Sequence, residues 1–110
     1  MVFMNTVASK IYDENLKAIG LELMFCTPEK CTSEFGLTAI EIARKLNIPT
    51  ETVKKKLKIL YEKRIIRVTG VNPKYWKFDD FQYQKMDEND EVYKLLSDFS
   101  DVDFDKYFEY

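Results

Sequence analysis

The chain has 110 residues, 45% of them hydrophobic and 33% charged, with two cysteines and no histidine. That length suits one domain's worth of chain with a modest core. No run of about 18 apolar residues is present, which argues against a membrane span. The first ten residues lack the basic stretch and apolar segment of a secretory signal, so an intracellular, cytoplasmic protein is expected.

The net charge of −2 conceals a strong asymmetry. Residues 1–37 carry three Lys against five acids, for a net −2. Residues 38–78 carry eleven Lys and Arg against three Glu, for a net +8, and residues 79–110 carry three Lys against eleven acids, for a net −8. A basic binding face followed by an acidic tail is the physical reading of such a pattern.

In chain order, residues 5–25 read as a helix capped by Asn5 or Thr6. Val7, Ile11, Leu16, Ile19, Leu23 and Met24 form its apolar stripe, and Gly20 weakens its centre. It should stop near Thr27-Pro28, because a residue preceding proline avoids the helical region. The run CTPEKC holds Cys26 and Cys31. Two thiols without histidine cannot complete a tetrahedral zinc site, so no metal or other cofactor is expected. Two ordinary thiols near a helix end are the favoured reading of the run, with a local or intersubunit disulfide as the alternative in an oxidising compartment.

Thr38-Ala39-Ile40-Glu41 is a capping box that opens a second helix. Ile40, Ala43 and Leu46 follow at apolar spacing, and Asn47-Ile48-Pro49 ends the helix. Thr50 is expected to cap a third, whose Val53, Leu57 and Leu60 make a buried stripe, with Leu57 and Leu60 packing against Ile42 and Leu46. Its opposite face carries Glu51, Lys54, Lys55, Lys58 and Glu62. After Lys63-Arg64 the pattern alternates. Ile66 and Val68, then Tyr75-Trp76-Lys77-Phe78, read as two strands joined by the turn residues of Thr69–Lys74. From Asp79 the chain turns acidic. Val92, Leu95, Leu96 and Phe99 make a helical stripe over residues 88–99, and Phe104, Tyr107 and Phe108 make a shorter one.

This order of short helix, turn, basic helix and hairpin resembles the winged helix-turn-helix family. The resemblance covers about 42 residues, Leu37 to Phe78, through LTAIEIARKLNIPTETVKKKLKILYEKRIIRV and TGVNPKYWKF. The implied fold class is mainly α with a small β-hairpin (α+β), with an added N-terminal helix and an acidic C-terminal helix and tail. The division expected is 1–86 for the winged-helix unit and 87–110 for the acidic segment. The stretch from Leu46 to Phe78 is also similar to Zα domains, which bind left-handed nucleic acid. It shares their leucine–proline spacing before the third helix, and Pro73 and Trp76 match their wing. Where that family places an Asn and a Tyr on the helix and a second wing proline, this chain has Lys54, Lys58 and Lys74. The likeness is therefore read as shared architecture.

An α-helix fits the major groove of DNA, about 12 Å wide, and the helix preceding it braces it there. Lys54, Lys55 and Lys58 are expected to face outward, with Thr50 and Thr52 hydrogen-bonding a phosphate at the helix start. Asn72, Lys74 and Lys77 on the hairpin are expected to reach flanking phosphates. The exposed helix positions hold no Arg, Asn or Gln, so bidentate base readers are missing and backbone or shape reading is favoured. Arg64 and Arg67 lie at the helix exit and on the first strand. Tyr61 and Trp76 are assigned mainly to packing.

The function expected is that of a transcriptional regulator that binds double-stranded DNA and carries out no catalysis. There is no His base, no nucleophile with a plausible partner and no Gly-rich phosphate loop. The extra N-terminal helix favours a homodimer. The alternative is a protein-protein interaction module in a larger complex, with the acidic tail as its partner-binding segment. For the apolar stripe of residues 88–99, packing as a closing helix is favoured. For Asp101 to Tyr110, packing, partner docking and covering of the basic face all stay open.

Overall fold

A computed structural model describes residues 13–26 and 34–105. The expectations for residues 5–12, for Cys31 and for Tyr107 and Phe108 lie outside these described residues. The first described helix, α1 (Glu14–Met24), starts within the span expected to be helical. Asp13 caps it, Oδ1 accepting from the Leu16 amide at 3.0 Å. It ends at Met24, three residues before Thr27. Leu16, Ile19 and Leu23 are buried along one face.

Gly20 has a purpose that its low helix propensity hides. A Cβ there would lie 2.5 Å from Leu96 Cδ2 of the last helix, so the missing side chain is what lets the two helices approach. Contact of this kind is a packing reason for a glycine in a helix interior.

The second helix, α2 (Ala39–Leu46), begins at the expected capping box. The Glu41 amide donates to Thr38 Oγ1 at 3.1 Å, and the Thr38 amide donates to Glu41 Oε1 at 2.9 Å. Asn47 ends the helix in the left-handed region at φ 56°, which Asn tolerates better than most side chains. The third helix, α3 (Thr50–Glu62), differs from expectation at its start. Pro49 occupies the cap position, Thr50 is already helical, and no side chain bonds the first-turn amides. Proline's fixed φ suits the helix entry, so the cap falls one residue earlier than Thr50. Val53, Leu57 and Leu60 are fully buried, as the apolar spacing requires.

At the far end of α3 the chain reverses through paired bonds. The Arg64 amide donates to the Tyr61 carbonyl at 2.9 Å and the Ile65 amide to the Leu60 carbonyl at 3.4 Å. This is a Schellman-type exit with Arg64, at φ 67°, where glycine is usual. Strands β1 (Ile66–Thr69) and β2 (Tyr75–Phe78) then pair antiparallel, with Ile66 opposite Phe78 and Val68 opposite Trp76. Those four residues face the helices, while Arg67 opposite Lys77 and Thr69 opposite Tyr75 share the outer face.

Leu37 adds a short third rung on the far side of β2. Its amide donates to the Trp76 carbonyl at 2.9 Å and its carbonyl accepts from the Trp76 amide at 2.7 Å. Gly36 makes this possible. Its φ is +112°, and a Cβ would stand 2.0 Å from the Trp76 carbonyl oxygen.

Two further helices close the fold. α4 (Asp80–Gln84) is a short turn of helix with no buried residue, capped by Asp79. α5 (Glu91–Ser97) buries Val92, Leu95 and Leu96. These three residues join one buried cluster with Ile19, Ile42, Val53, Leu57, Leu60 and Ile65. The apolar stripe of the acidic segment thus packs on the helical core, and Phe99, beyond α5, stays exposed. Among the described residues the result is a compact α+β fold of five helices and one two-stranded antiparallel hairpin.

Candidate nucleic-acid interface

Burial of Val53, Leu57 and Leu60 fixes the rotation of α3, and with it the face turned to solvent. Positions 51, 54, 55, 58, 61 and 62 form one stripe at three- and four-residue spacing, and all six are exposed. The lysines expected on this face are there. Lys55 and Lys58 have no ion-pair partner among the described residues, and Lys54 lies 3.8 Å from Glu51, with both side chains exposed. Such an exposed pair holds its members weakly.

Lys56 behaves differently. It points to the other side of α3, where Nζ donates to Asp13 Oδ2 at 2.7 Å. The lysine run thus divides, with three charges toward solvent and one used to hold α1 to α3. Other cations of the basic segment are also engaged. Lys63 pairs with Asp90 at 2.8 Å, Arg67 with Asp79 at 2.9 Å and Lys45 loosely with Glu22 at 3.9 Å.

Thr50 and Thr52 lie half-buried in the first turn of α3, with exposed Glu51 between them. The uncapped amides there remain donors, while the Glu51 charge opposes an approaching anion. Asn72 and Lys74 are exposed in the turn of the hairpin. Lys77 is on the outer face of β2, where Nζ donates to the Glu34 carbonyl at 3.3 Å. The eight sequence-derived residues therefore fall into three groups: the α3 face, the start of α3, and the hairpin.

A contact between rings joins the α3 face to the hairpin. Tyr61 and Trp76 meet edge to face, with centroids 6.0 Å apart and planes at 83°. Trp76 is half-buried against the core, in keeping with its packing assignment. Tyr61 is 50% exposed and belongs to the solvent face of α3. Its position three residues beyond Lys58 was the signal in the sequence that could have placed it there.

Next to this ring lies an open cleft of about 610 Å³, lined by Tyr61, Glu62 and Arg64 at the end of α3, by β1, and by Asp79 and Gln82. Asp79 is buried, and both its oxygens are used: Oδ2 accepts from Arg67 Nε and Oδ1 from the Gln82 amide at 3.1 Å. The Arg67 hydrogen bond, with help from the Gln82 amide, holds the Asp79 carboxyl below the usual carboxylate range. The same bond raises Arg67 further above its already high value.

The described part of the acidic tail lies against α1. Phe99 and Phe104 pack on Phe25 at centroid distances of 6.2 and 5.9 Å. Asp101 accepts from Lys17 Nζ at 2.7 Å. Among the described residues no helix is long and apolar enough to cross a membrane. Compared with protein families, curated proteins and solved structures, the chain matches none of them.

Proposed function

We propose that the protein is a winged helix-turn-helix DNA-binding protein, acting as a transcriptional regulator. In this reading α3 is the recognition helix, α2 braces it, and the β1–β2 hairpin is the wing. The observation that carries it is the solvent face of α3, where Lys54, Lys55 and Lys58 project together and no strong ion pair holds them. Those three charges lie on the exposed face of the helix, beside a hairpin whose turn bears Asn72 and Lys74. Lysines without guanidinium or amide partners at the base edges suit phosphate contact and shape reading more than base-specific readout.

The mechanism proposed is binding itself. The α3 face enters the major groove of duplex DNA, the first-turn amides and threonines meet a phosphate, and the wing lies along the neighbouring backbone. A cytoplasmic homodimer with two α3 faces fits a two-fold operator.

Fluorescence anisotropy of a labelled duplex against the full chain, at several salt concentrations, tests the reading. Affinity should fall with salt, with log K dropping about 0.9 per phosphate contact for each tenfold rise in salt. No binding at low salt would remove the reading. A second reading, a protein-interaction module, is favoured by exposed Phe81 on α4 amid the acidic residues that follow the hairpin. That module would bind no duplex alone and would need its partner.

A further inference from the structure

The cleft at the exit of α3 has features that packing does not use. Arg67 is held at one point only, Nε on Asp79, and its side chain is 70% exposed. Asp79 has both oxygens occupied, so it orients the guanidinium and leaves the terminal N–H groups facing solvent. Arg64 brings a second guanidinium to the cleft, without an ion-pair partner among the described residues. Tyr61 lines the same cleft, propped edge-on by Trp76 and half open to solvent.

A planar ring beside two arginine forks is the chemistry that recognises a nucleotide. Guanidinium forks match phosphate oxygens, and an exposed aromatic accepts a base by stacking whatever its sequence. The cleft, about 610 Å³, is open, so an occupant would lie across it with one side in solvent. The cleft also continues the Lys54–Lys58–Tyr61 stripe, so a strand lying on α3 would reach it.

We propose that this cleft binds a single unstacked nucleotide, its phosphate on Arg64 and Arg67 and its base on Tyr61. The inference draws its location from the nucleic-acid reading but not its chemistry. The nucleotide could be an unpaired residue at the end of a bound duplex or a free mononucleotide, and the two are distinguishable.

The test uses the full chain with a blunt 20-base-pair duplex, the same duplex carrying a short single-stranded overhang, deoxyadenosine monophosphate, and inorganic phosphate. Trp76, against which Tyr61 rests, provides the fluorescence readout. An overhang should tighten duplex binding by roughly tenfold through stacking. Tyr61→Leu, and separately Arg64→Asn, should each reduce that advantage to within about twofold, with circular dichroism unchanged. Asn is chosen because it tolerates the left-handed backbone at this position.

If the mononucleotide alone changes Trp76 fluorescence, phosphate does not, and both variants lose the response, the site takes free nucleotides and the proposal also stands. If blunt duplex binds but the overhang adds nothing and the mononucleotide is silent, the cleft proposal is overturned while the duplex reading survives. Mononucleotide binding without any duplex binding would instead leave the cleft and remove the duplex reading.

Discussion

Lys56 Nζ lies 2.7 Å from Asp13 Oδ2, and the other oxygen of the same carboxylate caps α1. One side chain thus joins the start of α1 to the middle of α3, behind the lysine face. Burial raises the Asp13 pKa, but the Lys56 hydrogen bond and charge and the Leu16 and Asn15 amides outweigh it, so the carboxyl sits below its ordinary value.

A depressed folded-state pKa stabilises the fold above the unfolded pKa, and that stability is lost as pH falls through the folded value. Asp79 and Asp90 are lowered as well, so part of the acid sensitivity is theirs. Asp13→Asn keeps a good capping oxygen and replaces the oxygen that accepts from Lys56 with an amide donor, so the charge and the ion pair are lost together. Urea unfolding should show the variant weaker than the parent near neutrality, with the gap closing below about pH 4. A gap independent of pH would mean that the ion pair is not what Asp13 contributes.

The solvent face of α3 gives the most direct functional prediction. Lys54→Glu with Lys58→Glu reverses two exposed charges one turn apart and touches no buried residue. Duplex binding should be abolished at moderate salt with the melting temperature nearly unchanged. Retained affinity in a folded double variant would exclude α3 as the contact helix.

Much of this arrangement was written locally in the chain. Thr38 and Glu41 stand three apart and cap each other; Val53, Leu57 and Leu60 repeat at helical spacing; Ile66 and Val68 alternate toward Trp76 and Phe78. What could not be read was non-local or too short to show a period. The Leu37–Trp76 rung joins single residues 39 positions apart. α4 has five residues and buries none of them, so no apolar stripe marks it. Gly20 read as a weakness because Leu96, its reason, lies in a distant helix. On the candidate interface, the outward set Lys54, Lys55 and Lys58 followed from the buried stripe. The diversion of Lys56 to Asp13 and the Glu34 contact of Lys77 depend on tertiary packing.

Gly36→Ala should show how much the third rung matters. The substitution meets both a positive φ and the Trp76 carbonyl oxygen at 2.0 Å. Backbone strain alone is worth about 1–3 kcal/mol, and the rung's two hydrogen bonds are disturbed as well. A lower melting temperature with altered Trp76 emission is expected. An unaffected melt would mean that the rung contributes nothing to stability.

Leu57→Ala tests the register of α3. Leu57 is fully buried, and truncating such a leucine costs about 2–5 kcal/mol, depending on how far the site collapses. Chemical denaturation would detect a loss of this size. A stability matching the parent would rotate α3 away from the orientation that exposes Lys54 and Lys58.

The acidic segment makes two opposite contributions, and two truncations separate them. A chain of residues 1–86 loses Val92, Leu95 and Leu96, which are buried in the common cluster. Exposing the surfaces they cover should leave it unfolded or aggregated, since each buried aliphatic side chain is worth about 1.5–3 kcal/mol. A chain of residues 1–98 keeps all three. It gives up the Phe99 and Phe104 rings on Phe25 and the Asp101 carboxylate on Lys17, whose own side chain is only 6% exposed. A polar contact to a charged group contributes about 1.5–3 kcal/mol, and the 54% exposure of Asp101 reduces its share. The shorter tail should therefore fold with a moderately lower melting temperature. Its duplex affinity should equal or exceed that of the full chain, because acidic residues that repel DNA are gone while the α3 face is intact. A folded 1–98 chain that bound DNA more weakly than the parent would show that the tail supports the interface.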